Sequence, residues 1–253
     1  MLIVAFCLLL LIILRNTMMG SRQTYEVQSL KISRIAVDDR WDDTPDDEMT
    51  ALLAPYKAQV DSVMDHVIGT AVISMGKDRP ESLLSNLVAD VLRQSATDVL
   101  GHPADMGLVN FGGLRNVLTA GPITTANVYE ILPFENALCV LTLRGEDLTK
   151  VFENIAARGG EGVSGVQLTI STEGRLLDAT VGGKAVEPER TYSVATIDYL
   201  AEGNDGLSAL TLAQSRTCPE QAVLRDLFLR YVEAETAAGR KLTSRIEGRI
   251  VVK

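Results

Sequence analysis

Apolar residues recur along the chain at two different periods, and each period predicts a different element. Spacings of three and four residues, typical of a helix with one buried face, occur over 48–67, 82–100, 126–131, 146–157 and 220–238. Short apolar runs, typical of strands, occur at 68–75, 106–109, 137–143, 166–171, 176–181, 191–196 and 250–252. Hairpin-like strand pairs mixed with single helices predict an α+β (mixed α/β) fold, with mixed sheets flanked by helices, rather than a regular βαβ repeat.

The N-terminus has the hydropathy of a targeting segment. Residues 2–14 are an uninterrupted apolar run closed by Arg15, which is short for a membrane span and suits the core of a signal peptide. We therefore assign 1–20 to a signal peptide or N-terminal membrane anchor, 21–48 to an extended segment and acidic linker, and 49–253 to one domain. The chain is expected to be exported, either periplasmic or associated with the cell envelope.

Charge and composition narrow the choice of partners. The formal net charge is −9, and no stretch is dense in lysine and arginine. This pattern argues against a nucleic-acid partner, because such partners require a basic surface. It leaves room for a small anionic ligand, since local arginines can override a weakly acidic overall field.

The three cysteines do not form a metal or redox motif. Cys7 lies in the apolar leader, Cys139 lies in a predicted buried strand, and Cys218 precedes a proline. A buried strand position favours Cys139 as an inert small hydrophobe. A disulfide between Cys139 and Cys218 is the less favoured alternative.

The most informative stretch follows the apolar run 106–109. There Asn110 is followed by Phe, the pair Gly112 and Gly113, Leu, and then Arg115. Paired glycines at the end of a strand allow a sharp turn and close approach of another group. The arginine offers a planar fork of donors, and the asparagine amide both donates and accepts. By itself the stretch predicts either a simple turn with a surface arginine or one wall of a ligand site.

Two further segments change the balance between these alternatives. Ile-Leu-Pro-Phe-Glu-Asn occupies 131–136, and Ile-Asp-Tyr-Leu-Ala-Glu-Gly-Asn-Asp-Gly occupies 197–206. With the stretch 110–115, their order resembles the C-terminal, substrate-binding domain of the 5′-nucleotidase family. Asn-Leu-Val-Ala-Asp at 86–90 and Val-Ser-Gly at 163–165 resemble further parts of that domain.

The resemblance implies a nucleoside site. Phe134 matches the first ring that stacks on the base, and Tyr199 matches the second, where the family usually has phenylalanine. Asp205 matches the aspartate that holds the ribose hydroxyls, and Asn110 and Arg115 match the asparagine and arginine of the glycine-rich turn. The candidate substrate-binding residues are Asn110, Gly112, Gly113, Arg115, Phe134, Asn136, Tyr199 and Asp205.

The sequence departs from the family pattern at the start of the helix that opens the domain. Pro80 lies where the pattern has a phosphate-side arginine, with Arg79 one residue away, and Leu83 replaces an asparagine. The resemblance therefore supports contact with the base and the ribose more strongly than contact with a phosphate.

A larger departure concerns catalysis. The histidines, His66 and His102, lie outside any metallophosphoesterase motif, and each is expected to be a surface residue. We expect no catalytic residue and no metal or other cofactor in this chain, with divalent metals only on a partner.

The leading hypothesis is therefore the nucleoside- or nucleotide-binding half of a split 5′-nucleotidase, working with a separate metallophosphoesterase chain. A stand-alone nucleoside-binding module of the envelope and a non-binding scaffold with a decayed site are the alternatives.

Overall fold

A computed structural model describes residues 27–41 and 45–253 of the chain. The signal peptide or anchor predicted for 1–20 lies outside the described residues, as does Cys7. By the density of contacts the chain divides after Leu52, and residues 53–253 form one compact unit. The three predicted sequence ranges stay predictions.

The five helices that the hydrophobic periodicity predicts are present, and one further short helix, Asp198–Ala201, is not predicted. The helices are α1 (Asp47–Met64), α2 (Leu83–Ser95), α3 (Thr97–Leu100), α4 (Thr125–Ile131), α5 (Gly145–Ala157), α6 (Asp198–Ala201) and α7 (Leu224–Ala237). Short 3₁₀ turns cover Asp39–Trp41, Phe111–Gly113 and Ser208–Leu212. The helix predicted over 82–100 is interrupted at Ala96, which divides it into α2 and α3.

Local caps explain two of the helix starts. Ser82 caps α2, since its hydroxyl oxygen accepts a hydrogen bond from the backbone N–H of Ser85. In return, the Ser85 hydroxyl oxygen accepts a hydrogen bond from the backbone N–H of Ser82. Thr124 and Asn127 form the same reciprocal cap at α4. Both caps satisfy backbone donors that the first turn of a helix leaves without an intrahelical partner.

Eleven strands occur in the described part of the chain. They are β1 (Val67–Ala71), β2 (Met106–Val109), β3 (Gly121–Thr124), β4 (Leu138–Arg144), β5 (Gly162–Ser164), β6 (Val166–Ile170), β7 (Leu176–Val181), β8 (Lys184–Ala185), β9 (Thr191–Ile197), β10 (Ser215–Thr217) and β11 (Ile250–Val252).

The described strands form three sheets, all flanked by helices. The central sheet has the order β10-β4-β9-β2-β5, and its pairs are antiparallel except for the parallel pair β2–β9. A second sheet has the order β11-β6-β7-β8, and β1 pairs with β3. Helix α2 packs on β2 and β5, and α7 packs on β1 and α2. The predicted mixed α/β fold is confirmed.

The core lies between the central sheet and these helices. Its largest fully buried side chains include Tyr192, Phe152 and Phe228. Most of the other buried core residues are aliphatic, and the burial of both kinds of apolar surface stabilises the domain. Helix α1 differs, because none of its residues is buried and the apolar positions that predict it are exposed.

The prediction for the cysteines is wrong, because Cys139 and Cys218 form a disulfide. Thr217 on β10 pairs with Val140 on β4 in an antiparallel register. The next residue, Cys218, therefore lies opposite Cys139. The short polar strand β10 carries no hydrophobic pattern, so the sequence alone does not reveal this pairing.

Candidate functional site

The order of strands in the central sheet brings the separate sequence motifs together. Strands β2 and β9 are neighbours and run parallel, so their carboxyl ends meet at one edge of the sheet. Asn110 directly follows β2, and Tyr199 lies in α6, which directly follows β9. Ligand sites commonly form outside the carboxyl ends of such strands.

The third motif reaches the same edge from the opposite direction. Strand β4 is antiparallel to β9, and its first residue, Leu138, pairs with the last residue of β9, Ile197. The loop that precedes β4 therefore opens at the carboxyl end of β9. This loop carries Phe134 and Asn136.

These segments line a cavity of about 340 Å³ that is open to solvent, and its volume is within the usual size of small-molecule sites. All eight candidate residues line it: Asn110, Gly112, Gly113, Arg115, Phe134, Asn136, Tyr199 and Asp205. The structure thus brings together residues that lie up to 95 positions apart in the chain, such as Asn110 and Asp205. Their roles in binding stay a prediction.

Two aromatic rings are available to a ligand in this cavity. Phe134 is 48% exposed and Tyr199 is 41% exposed, whereas the neighbouring Phe111 is buried. The guanidinium of Arg115 lies 6.0 Å from the centre of the Phe134 ring, the outer limit of a cation–π contact. Exposed ring faces of this kind are suited to stacking on a planar heterocycle.

Asp205 is the acidic group of the cavity, and its carboxylate is held by three side chains. The Asn110 amide donates to Oδ2 at 2.6 Å, and the Tyr199 hydroxyl donates to Oδ1 at 3.0 Å. An Arg158 guanidinium nitrogen lies 3.7 Å from Oδ2. The hydrogen bond to Asp205 raises the pKa of Tyr199 above its ordinary value, because it stabilises the protonated phenol.

The two glycines allow the turn to approach these side chains closely. A Cβ atom on Gly113 would lie 2.7 Å from Oδ1 of Asn110, and one on Gly112 would lie 3.4 Å from Oδ2 of Asp205. A methyl group at position 113 would therefore displace the amide that holds Asp205. Glycine at this position leaves room for the Asn110 amide.

Glu161 organises the back of the site, and its role is not apparent from the sequence. Its side chain is fully buried. Its oxygens accept hydrogen bonds from the backbone N–H of Phe111 at 2.6 Å, from Arg79 at 2.7 Å and from Arg158 at 2.6 Å. One carboxylate thereby fixes the glycine turn and orients Arg158, which approaches Asp205. The glycine pair before Glu161 is the signal in the sequence for a tight loop here, but it does not identify the partners.

Arg79 also contacts the glycine turn, through the ring of Phe111. Its guanidinium also donates to the carbonyl oxygen of Gly160 at 3.0 Å and lies 5.0 Å from the centre of the Phe111 ring. Lys77 donates to the carbonyl oxygens of Phe111 and Leu114. Burial, with the nearby charges of Arg115 and Arg79, holds the pKa of Lys77 below its usual value. Basic groups are thus concentrated around the turn.

The donor set does not fit a metal site. Among residues 27–41 and 45–253, no group of three or more His, Cys, Asp or Glu side chains converges to hold a metal ion. Asp205 accepts hydrogen bonds at both oxygens and has a guanidinium beside it, whereas metal centres need several converging ligands. His66 and His102 are exposed, as predicted.

The fold and cavity define a mixed α/β domain with a small-molecule-sized site at one edge of its central sheet. The chain belongs to the family described as 5′-nucleotidase, C-terminal domain, whose model matches residues 64–212. The predicted resemblance is therefore confirmed.

Similar proteins support the same assignment. The chain is 28% identical over 236 residues to the cell wall protein Lmo0130 of Listeria monocytogenes, covering 83% of this chain and 30% of that protein. It is 27% identical over 239 residues to the trifunctional nucleotide phosphoesterase protein YfkN of Bacillus subtilis, covering 87% of this chain and 16% of that protein. The chain thus spans less than a third of the length of either relative.

Two solved structures agree with the fold. The 5′-nucleotidase precursor of Thermus thermophilus superposes with a TM-score of 0.69 at 29% identity, covering 82% of this chain and 44% of that one. The NAD nucleotidase of Haemophilus influenzae superposes with a TM-score of 0.62 at 18% identity, covering 82% of this chain and 41% of that one. The second likeness concerns the fold alone.

Proposed function

We propose that this chain binds the nucleoside part of a nucleotide and acts as the substrate-binding half of a 5′-nucleotidase-type hydrolase. The phosphoester chemistry is supplied by a separate metallophosphoesterase chain. The observation that carries the proposal is the cavity itself, in which two exposed rings, a held carboxylate and two amides converge. Those groups match the chemical parts of a nucleoside.

Each part of a nucleoside has a complementary group in the cavity. The Phe134 and Tyr199 rings stack on the base, and such stacking contributes roughly 1–3 kcal/mol per base. The Asp205 carboxylate retains acceptor capacity for the sugar hydroxyls, because the protein uses one hydrogen bond on each of its oxygens. Asn136 provides an amide that can donate to and accept from the edge of a base.

The partner chain is proposed from the chemistry that hydrolysis requires. Cleavage of a phosphate ester by this class of enzyme uses two bound metal ions that activate water and neutralise developing charge. The described residues do not fit such a centre. We therefore assign the metal ions to the partner and the recognition of the nucleoside to this chain.

Export is part of the proposal. A Cys139–Cys218 disulfide is typical of an oxidising compartment outside the cytoplasm, and one relative is named a cell wall protein. Within the described residues, no helix has the length and apolar character to cross a membrane. The apolar run 2–14 is the proposed export signal.

Calorimetric titration with adenosine and with AMP tests the binding function. The chain is expected to bind both ligands, and Phe134→Ala is expected to weaken binding about 5- to 150-fold, the equivalent of roughly 1–3 kcal/mol of stacking. Tyr56→Ala is the matched control, since Tyr56 is an exposed aromatic residue of α1 outside the cavity. Equal affinities for wild type and Phe134→Ala would contradict the proposal.

Mixing the chain with a metallophosphoesterase chain from the same organism tests the partnership. We expect a complex on size-exclusion chromatography and nucleotide hydrolysis that rises when both chains are present. A chain that binds nucleosides but neither forms a complex nor changes hydrolysis would support the stand-alone module. A chain that binds neither would support the scaffold.

A further inference from the structure

The second aromatic position of the site carries a hydroxyl group, and that hydroxyl is engaged. Tyr199 Oη donates to Asp205 Oδ1 at 3.0 Å. The backbone of Tyr199 is fixed on both sides, because its N–H donates to Asp198 Oδ1 at 2.8 Å and its carbonyl oxygen accepts from Asn204 at 2.8 Å. The tyrosine therefore presents its ring to the cavity and its hydroxyl to the carboxylate at the same time.

Asp205 is also constrained through its backbone. Its φ is 53°, in the left-handed region that residues other than glycine seldom adopt. Such a conformation persists where the surroundings determine it, and it is common at ligand sites. Here the hydrogen bonds from Asn110 and Tyr199, one to each oxygen, fix the plane of the carboxylate.

Counting acceptors shows what this plane offers to a ligand. A carboxylate has about four acceptor positions, two on each oxygen. Asn110 takes one on Oδ2 and Tyr199 takes one on Oδ1. One acceptor remains on each oxygen, which is the arrangement that two adjacent hydroxyl groups require. If Tyr199 lacked its hydroxyl, side chains would hold the carboxylate through Oδ2 alone, and the group could turn to meet a single hydroxyl.

We propose that the Tyr199 hydroxyl makes this site select a sugar with both a 2′- and a 3′-hydroxyl over a 2′-deoxy sugar. It does so by holding the Asp205 carboxylate with one acceptor of each oxygen directed at the ligand. The inference rests on the proposed nucleoside-binding function and adds a preference for ribonucleosides to it. Tyr199 is thus a specificity-determining residue through its hydroxyl and a stacking platform through its ring.

Arg158 supports the same arrangement. Its guanidinium is anchored by the fully buried Glu161 at 2.6 Å and approaches Asp205 Oδ2 at 3.7 Å. The guanidinium adds a positive group beside this oxygen, and a carboxylate acts as an acceptor of hydrogen bonds towards a sugar hydroxyl. The ligand must then donate both of them, which a 2′-deoxy sugar cannot do with its ring hydroxyls.

Tyr199→Phe is the test, because it removes the hydroxyl and keeps the ring. Calorimetry with adenosine and 2′-deoxyadenosine on wild type and variant gives four dissociation constants. We expect the variant to bind 2′-deoxyadenosine within about twofold of wild type and to bind adenosine about 3- to 10-fold more weakly, the range of one ordinary hydrogen bond. The preference for adenosine therefore shrinks.

Tyr56→Phe is the matched control and should leave all affinities unchanged. An equal preference for adenosine in wild type and Tyr199→Phe overturns the inference, even where the variant melts at a lower temperature, because the hydroxyl would then have a structural role only. If Phe134→Ala weakens binding in that same experiment, the proposed function stands and the sugar preference alone fails. If wild type binds neither nucleoside, both fail.

Discussion

At the scale of single residues, the site depends on a chain of charges that leads from the core to the cavity. Glu161 is buried, Arg158 bridges it to Asp205, and Asp205 faces the cavity. Each member fixes the position of the next. Because one partner of a buried ionic group cannot be removed without leaving the others uncompensated, the support for Asp205 should be sensitive to changes at Glu161.

Glu161→Ala is expected to lower the free energy of unfolding by about 2–4 kcal/mol. This is below the roughly 3–5 kcal/mol typical of a fully buried ion pair, because both arginines reach solvent and are partly screened there. Urea denaturation measures the change. Glu173→Ala, at an exposed ion pair with Arg175, is the control and should change stability little; equal effects in the two variants would contradict the role given to Glu161.

The Tyr199 phenol is expected to titrate above its ordinary pKa of about 10, because the hydrogen bond to Asp205 favours its protonated form. The hydroxyl is then a donor at all pH values below that raised pKa and is lost as the pH rises through it. Ultraviolet difference titration of wild type against Tyr199→Phe isolates this residue from the other tyrosines. Asp205→Asn should return the pKa of Tyr199 towards its ordinary value, and an unchanged pKa would contradict the contact.

At the scale of elements, the sequence predicts most of the longer helices and strands and misses several short strands, the buried β5 among them. The predicted strands 106–109, 176–181 and 250–252 match β2, β7 and β11 residue for residue. Strands β8 and β10 are short and exposed, so they have no hydrophobic pattern. These two segments are strands because they pair with a neighbouring strand, and the hydrophobic periodicity of the sequence carries no information about such a tertiary contact.

Some residues of the candidate site are likewise predicted from the sequence, and others are missed. The resemblance predicts eight residues in one site, and the structure brings those eight around one cavity. Sequence reasoning misses Glu161 and Arg158, because their importance arises from long-range contacts, and it notes Arg79 only for its displaced position. It misses the Cys139–Cys218 disulfide together with β10, which creates it.

The glycine turn after β2 gives a prediction at this scale. Gly113→Ala places a Cβ atom 2.7 Å from Asn110 Oδ1, so the amide that holds Asp205 must move. We expect adenosine binding, measured by calorimetry, to weaken by about tenfold, or about 1.4 kcal/mol. Gly76→Ala is the control, since its nearest contact would be an ordinary 3.8 Å; equal affinities in the two variants would count against the close approach.

The disulfide joins Cys139 in β4 to Cys218, the residue after β10, across a sequence separation of 79 residues. Cys218→Ser removes the cross-link without a change at the buried Cys139. We expect a loss of about 2–4 kcal/mol in unfolding free energy, because the unfolded chain gains freedom. Reduction of wild type should give the same loss, and reduction of Cys218→Ser should add nothing. Equal stability of reduced and oxidised wild type would contradict the cross-link.

At the scale of the whole molecule, binding and chemistry are assigned to different places. The domain belongs to the 5′-nucleotidase C-terminal domain family, and its cavity offers groups for recognition. The described residues do not supply a metal centre. We propose that this domain determines which substrate is held.

The isolated chain is accordingly expected to bind AMP and leave it intact. Phosphate release should stay at the uncatalysed level when divalent cations such as Mn²⁺ or Zn²⁺ are added, because a two-metal centre requires converging ligands. A phosphate assay on the purified chain, with Phe134→Ala as the control for contaminating activity, measures this. Release that disappears in Phe134→Ala would show that the chain itself is catalytic.

A diffraction structure of the chain with bound adenosine would show directly whether the cavity is a nucleoside site. We expect electron density for the base between the rings of Phe134 and Tyr199, with the two sugar hydroxyls within hydrogen-bond distance of the Asp205 carboxylate. Adenosine bound elsewhere on the surface, or a cavity without ligand at saturating concentration, would contradict it.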